Sequence, residues 1–310
     1  MIRYFLTEDR TLKEVDNLQE KTWIDVQNPG EDDMSLLMEL GIEEDFVYDV
    51  LDPEERARFE QDENNIYIII KIPFFDKEDP EVPYKTLPLG IVITPEMIIT
   101  IGARKNEIIS GILEKELSGF STKKKYRFLL KLFERITIYY LKYLKEIRRQ
   151  SNIIETELHK STKNAELIAM LELEKSLVYF TTSLRSNELV YEKLKRAKIL
   201  TLYEEDEELF EDIIIDNRQA IEMAQIYSDI LSGMMDAFAS VISNNLNLIM
   251  KILTIVTLVL TIPMLIASIY GMNISLPLQN NPYAFYITMG IGAVTAVIMG
   301  VILFRIRWFK

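Results

Sequence analysis

Asn247, Thr254, Thr261 and Ser268 recur every seven residues, and Ser243, Met250, Thr257 and Met264 form the neighbouring seven-residue row. Rows three and four residues apart fall on one face of a helix. Most of this face lies in a stretch whose other side chains are aliphatic. Amide and hydroxyl oxygens accept hydrogen bonds from water and suit hard cations. The chain has no cysteine, which excludes disulfides and thiolate sites, and His159 is its only histidine. Metal chemistry must therefore use oxygen, which suits magnesium and calcium and fits tight zinc binding poorly. Periodicity alone leaves two readings open. The row either lines water or bonds one helix to another inside a bilayer.

The elements carrying these residues follow from hydropathy. Residues 252–304 hold no charged side chain, whereas residues 1–250 are rich in Glu, Asp and Lys. Two apolar runs, 252–270 and 283–304, are each long enough to cross about 30 Å of hydrocarbon. Lys251 precedes the first, Arg305, Arg307 and Lys310 follow the second, and the loop 271–282 is uncharged. Both ends are therefore expected in the cytoplasm and the loop outside, with Tyr283 and Trp308 as interfacial anchors. Pro263 frees the carbonyl near Val259. That is either a simple kink or the mark of a water-lined face. No signal-peptide pattern opens the chain, so residues 1–250 are expected on the cytoplasmic side of the cell's inner membrane. The formal charge of −13 opposes nucleic-acid binding and attracts cations.

Short β-branched runs at 2–6, 23–26, 66–73, 89–94 and 97–102 read as strands, with short helices at 32–40 and 45–51. From 121 the pattern is helical, marked by Phe128, Leu132, Ile136, Tyr139, Tyr143 and Ile147, and helix continues through 153–198. The basic residues of the first part, from Lys123 to Arg149, are expected to pair with acidic neighbours. The run from Glu204 to Glu208 reads as a linker, either solvated or holding weakly bound cations. Residues 209–270 read as one helix of about 90 Å whose apolar stripe needs partners, hence an oligomer. The expected fold is an α+β domain, an α/β sandwich, followed by long α-helices and a two-helix transmembrane hairpin. Its segments are 1–120, 121–208, 209–270 (with the span 252–270), 271–282, 283–304 and a basic tail 305–310.

The first span ends in Tyr270-Gly271-Met272-Asn273, placed before a final span and after a large N-terminal region. This arrangement resembles the CorA-type magnesium transport family. So do Trp23-Ile24-Asp25-Val26 with Pro29, Asp49–Asp52 with residues 56–60 and 66–70, and 231–236 with Ser243-Asn244-Asn245. The resemblance implies a homopentameric, funnel-shaped channel whose first membrane helices surround the pore. It makes Gly271, Met272 and Asn273 the selectivity filter, with Asn273 ringing the outer mouth. Asn247, Thr254, Thr257, Thr261, Met264 and Ser268 become pore-lining, Met250 and Leu253 an apolar gate, and Asp236 an acidic ring below it. Asp212 is implied in regulatory magnesium binding, with Asp62 or Glu63 of a neighbouring subunit as its partner.

On this reading Mg2+ is both cargo and regulator, Co2+ and Ni2+ are further possible cargo, and no organic cofactor is needed. The partners are further copies of the chain, divalent cations and the bilayer. Many family members carry a Met-Pro-Glu-Leu-like stretch after the Gly-Met-Asn, but here Ile274-Ser275-Leu276-Pro277-Leu278-Gln279 lacks the acid. A zinc transporter on the same scaffold and a membrane-tethered structural or signalling protein are the alternatives. No G-x-x-x-x-G-K-[ST] and no histidine-based site point to an enzyme or an ATP-driven pump.

Overall fold

A computed structural model describes residues 2–8, 11–62, 65–77, 79, 81–114, 120–160, 164–273, 275, 277 and 281–305. They form two compact units, divided between Met235 and Asp236.

The first unit is built on a mixed sheet of β1 (Ile2–Glu8), β2 (Thr11–Val15), β3 (Trp23–Gln27), β4 (Arg58–Asp62), β5 (Asn65–Phe75), β6 (Tyr84–Ile93) and β7 (Ile98–Gly102). The spatial order is β2-β1-β3-β7-β6-β5-β4. Only β3 and β7 run parallel; the other neighbours are antiparallel. The Ile-Tyr-Ile-Ile-Ile run of β5 is buried from end to end, as expected of a strand covered on both faces. On one face α1 (Glu31–Glu39) and α2 (Glu44–Leu51) close a core of Ile24, Val26, Leu37, Phe46, Val47, Val50 and Ile69. On the other lie α4 (Lys125–Lys160) and α5 (Asn164–Ala197), after a short α3 (Glu107–Glu114). Trp23 packs against Phe128 of α4 at a tilt of 59°, with ring centres 5.0 Å apart. The result is an α/β sandwich.

Several elements differ from expectation. The chain from 121 to 198 is two helices, packed antiparallel: Phe133 meets Tyr191 and Tyr140 meets Phe180. β2, β4 and α3 carry weak periodicity and were not foreseen. The acidic run is not a linker. It forms the first turn of α6 (Glu204–Tyr270), a helix of 67 residues, where four acids face the positive end of the helix dipole. Four of its five acids are exposed, but Asp206 is buried and accepts a 2.7 Å bond from Arg127 of α4. The basic face of α4 is thus partly matched to acids, as expected, with Lys131–Glu134 and Arg149–Glu146 further along.

β4 pairs with β5 only as far as Arg58 opposite Ile69, so the rest of β5 overhangs. Asn187 of α5 takes over that edge. Its Oδ1 accepts from the Lys71 amide at 2.9 Å, and its Nδ2 donates to the Lys71 carbonyl at 2.8 Å. One side-chain amide therefore replaces the missing strand, and Tyr140 Oη donates to the same carbonyl at 3.0 Å.

Gly90 of β6 is where the sheet meets α2 most closely. A methyl there would overlap Val50 Cγ2 and sit 3.2 Å from Phe46 Cε1. Gly90→Ala should lower stability by roughly 1–3 kcal/mol through overpacking. Adding Val50→Ala should recover part of the loss. Thermal unfolding of the two variants checks this, and equal stability of Gly90→Ala and wild type would refute the close packing.

Candidate functional site

The second unit, from Asp236 on, contains the remainder of α6 and α7 (Ala284–Arg305). Both helices are long and apolar enough to cross a membrane. They pack through small residues. Thr288, Gly292, Ala296 and Gly300 recur every four residues on α7, and the first three are buried. A methyl on Gly292 would lie 3.6 Å from Ile266 Cδ1 and 3.8 Å from Pro263 Cα, and one on Gly300 would lie 3.4 Å from Val259 Cγ2. Small residues let the backbones approach and replace the hydrophobic drive that is absent between helices in lipid.

This contact corrects one expectation. The side of α6 that carries Pro263 is turned to α7, so it is a packing face and does not line water. Asn247, Met250, Leu253, Thr254, Thr257, Thr261, Met264 and Ser268 lie on the opposite side, at about 100° per residue. Every one of them is exposed. Met264 is 69% exposed and Met250 58%. The rows therefore do not bond α6 to α7, which removes the intrachain form of the helix-to-helix reading.

The three threonine hydroxyls on this face have a fixed polarity. Thr254 donates to the Met250 carbonyl at 2.8 Å, Thr257 to Leu253 at 2.8 Å, and Thr261 to Thr257 at 2.7 Å. Each hydroxyl proton is spent inside the helix, which leaves the oxygen lone pairs directed outward as acceptors. A hydrated cation presents water hydrogens, and acceptors are what such hydrogens need.

α6 ends in a tight turn. Gly271 N–H donates to the Ala267 carbonyl at 2.9 Å and Met272 N–H to Ile269 at 3.2 Å. Tyr270 Oη donates to the Pro277 carbonyl at 3.3 Å, tying the following loop back to the helix end. Gly271, Met272 and Asn273 are exposed just beyond the last helical turn. Ile274, Leu276, Leu278 and Gln279, which include the position of the absent acid, lie outside the described residues.

The acids expected to bind regulatory metal occupy separate elements of the first unit and of α6. Asp212 is exposed on α6, beside the buried Ile213 and Ile214. Asp62 is exposed at the end of β4, Asp236 is exposed on α6, and Glu63 lies outside the described residues. Among the described residues, no three Asp, Glu or His side chains converge to hold a metal ion. Asp212 is instead flanked by ion pairs that fasten α6 to α5, Lys195–Glu211 at 2.7 Å and Arg218–Glu188 at 2.6 Å. Sequence reasoning missed three positioning residues: Tyr270 as a loop tether, Asp206 as a buried partner, and Asn187 as an edge cap. The first could have been suspected from its place beside the Gly-Met-Asn; the other two depend on distant residues and leave no local signal.

Residues 19–307 match the family model described as CorA-like Mg2+ transporter protein. The chain is 35% identical over 293 residues to the cobalt/magnesium transport protein CorA of Methanocaldococcus jannaschii, covering 92% of this chain and 90% of that protein. It is 24% identical over 272 residues to the protein of the same name from Thermotoga maritima, covering 86% and 77%. The complete structure of the CorA magnesium transporter from Methanocaldococcus jannaschii superposes with a TM-score of 0.82 at 31% identity, over 99% of this chain and 98% of that one.

The α6–α7 contact gives a direct test. Gly292→Ala adds a methyl at ordinary contact distance and should leave the hairpin intact. Gly292→Phe should force the helices apart at a cost of roughly 1–3 kcal/mol. Melting of the detergent-solubilised protein distinguishes them, and an unchanged melt for Gly292→Phe would refute the packing described.

Proposed function

The chain belongs to the CorA-like Mg2+ transporter family, and on that premise we propose that it is a channel carrying hydrated Mg2+, and also Co2+, into the cell. The observation that supports this most is the acceptor-bearing face of α6, which α7 leaves uncovered along the whole apolar span. Five copies of that face around an axis would form a pore of threonine, serine and asparagine oxygens.

Magnesium holds its water tightly and gives it up reluctantly. A neutral oxygen accepts hydrogen bonds from that water without stripping it. Asn273, at the end of α6, is assigned to the outer mouth with Gly271 and Met272. Its amide oxygen selects a hydrated divalent ion by size and hydrogen bonding, while the absence of a carboxylate keeps release fast. Asn247, Thr254, Thr257, Thr261, Met264 and Ser268 line the path. Met250 and Leu253 form an apolar constriction that closes by dewetting, and Asp236 collects cations on the inner side. Transport runs down the membrane potential, which favours a divalent ion by about 4.6 kcal/mol per 100 mV. Both termini and the α/β domain face the cytoplasm, and the protein sits in the cell's inner membrane.

Regulation is assigned to Asp212, with Asp62 or Glu63 of a neighbouring subunit. The absence of a complete metal cluster among the described residues of one chain fits a site completed by a second copy. Bound Mg2+ would neutralise facing acids and hold the assembly closed; its loss would let those acids repel and the constriction open.

Mg2+ flux into liposomes holding the purified protein tests the pore. Asn273→Ala should reduce flux by about tenfold or more, equivalent to about 1.4 kcal/mol at the barrier. Zn2+ run in parallel should move more slowly than Mg2+ and Co2+. Absent Mg2+ flux, or flux unaltered by the substitution, would overturn the assignment. Asp212→Ala should shift the concentration at which internal Mg2+ shuts flux off, and an unchanged dose–response would remove Asp212 as a sensor.

A further inference from the structure

The overhang of β5 leaves a cavity of about 660 Å³ between the residues after α2, the β5–β6 hairpin and α5. That is the size of a small-molecule site. In a chain with a formal charge of −13, three cations line it: Arg56, Lys71 and Lys85. Lys71 is only 7% exposed, and burial pushes its amine below the usual lysine range. Among the described residues no carboxylate lies within ion-pairing distance of it. Its acceptor is the neutral Pro53 carbonyl at 2.6 Å. Glu54, Asp52 and Glu55 act on it only at longer range, and of the three donors a buried ammonium carries, the Pro53 carbonyl takes one. Thr86 and Ser183 add hydroxyls to the same cavity, 2.7 Å from one another, and Tyr179 supplies an aromatic wall that is 44% exposed. Two carboxylates also line it. Glu55 is engaged by Arg58, which leaves Glu54 as the opposing charge, while Lys85 is engaged by Asp79.

We propose that this cavity binds a small organic phosphate, its phosphoryl group held by Lys71, Arg56 and the one hydroxyl proton that the Thr86–Ser183 pair leaves free, and its planar body laid against Tyr179. A lysine ammonium, an arginine guanidinium and a hydroxyl together offer more donors than the two oxygens of a carboxylate need, and they suit the three oxygens and higher charge of a phosphoryl group. The site lies entirely in the first unit and uses none of the residues assigned to ion conduction.

Calorimetric titration of the full-length detergent-solubilised protein with adenosine monophosphate, in chelator and without divalent cations, tests it. Saturable binding with a Kd of about 1 mM or tighter is expected. Arg56→Gln, at an exposed position, should weaken binding several-fold, Lys71→Met by about tenfold or more, and Glu54→Gln should tighten it. Asn273→Ala should bind as wild type. Benzoate, a carboxylate with a planar body, should bind at least about tenfold more weakly. No saturation by about 10 mM overturns the proposal. So does unchanged affinity in both Arg56→Gln and a folded Lys71→Met, equal binding of benzoate, or loss of binding in Asn273→Ala.

Discussion

A polar side chain facing hydrocarbon costs free energy unless its groups find partners, and a backbone carbonyl there costs more. The apolar part of α6 meets most of the backbone demand by staying helical, although Pro263 leaves the carbonyl one turn before it without an amide donor. It meets part of the side-chain demand internally, because its threonines return their protons to carbonyls one turn earlier. What it cannot satisfy alone is the set of oxygen lone pairs left on the face away from α7. The small-residue contact of Gly292 and Gly300 with Pro263, Ile266 and Val259 fixes which face that is. The rest of the hairpin follows from this division of one helix into a side packed against apolar atoms and a side of acceptors.

The α/β domain solves an analogous problem with different means. Where β4 stops short, β5 exposes a buried amide and carbonyl. Asn187 and Tyr140 satisfy them from the helical layer. The same early stop leaves room for the cavity beside Lys71. At the start of α6, an acidic turn that would repel itself in isolation is steadied by the helix dipole and by Arg127.

Much of this was legible in the sequence because it depends on composition and period. The two spans, the seven-residue polar rows and the buried β5 run are local signals, and each appears where its pattern places it. The failures share a physical cause. Glu204–Glu208 looked like a linker because self-repulsion is local, while its remedy, Arg127, lies far away in the chain. Pro263 left a kink and a water-lined face equally open, because the sequence has no sign that Gly292 packs against it. The break between α4 and α5 carries no proline or glycine to announce it. For the candidate site, the row on α6 was readable, but the direction of its hydroxyl protons required coordinates.

The fixed polarity of that row has a consequence for energy coupling. Residues 252–304 contain no carboxylate, imidazole or amine. A carrier that trades a proton for a metal ion needs a group in the membrane that can be loaded and unloaded with that proton. The hairpin holds no such group, and its threonine protons are already committed to carbonyls. Along this face an ion meets the same neutral oxygen acceptors in acid and in base.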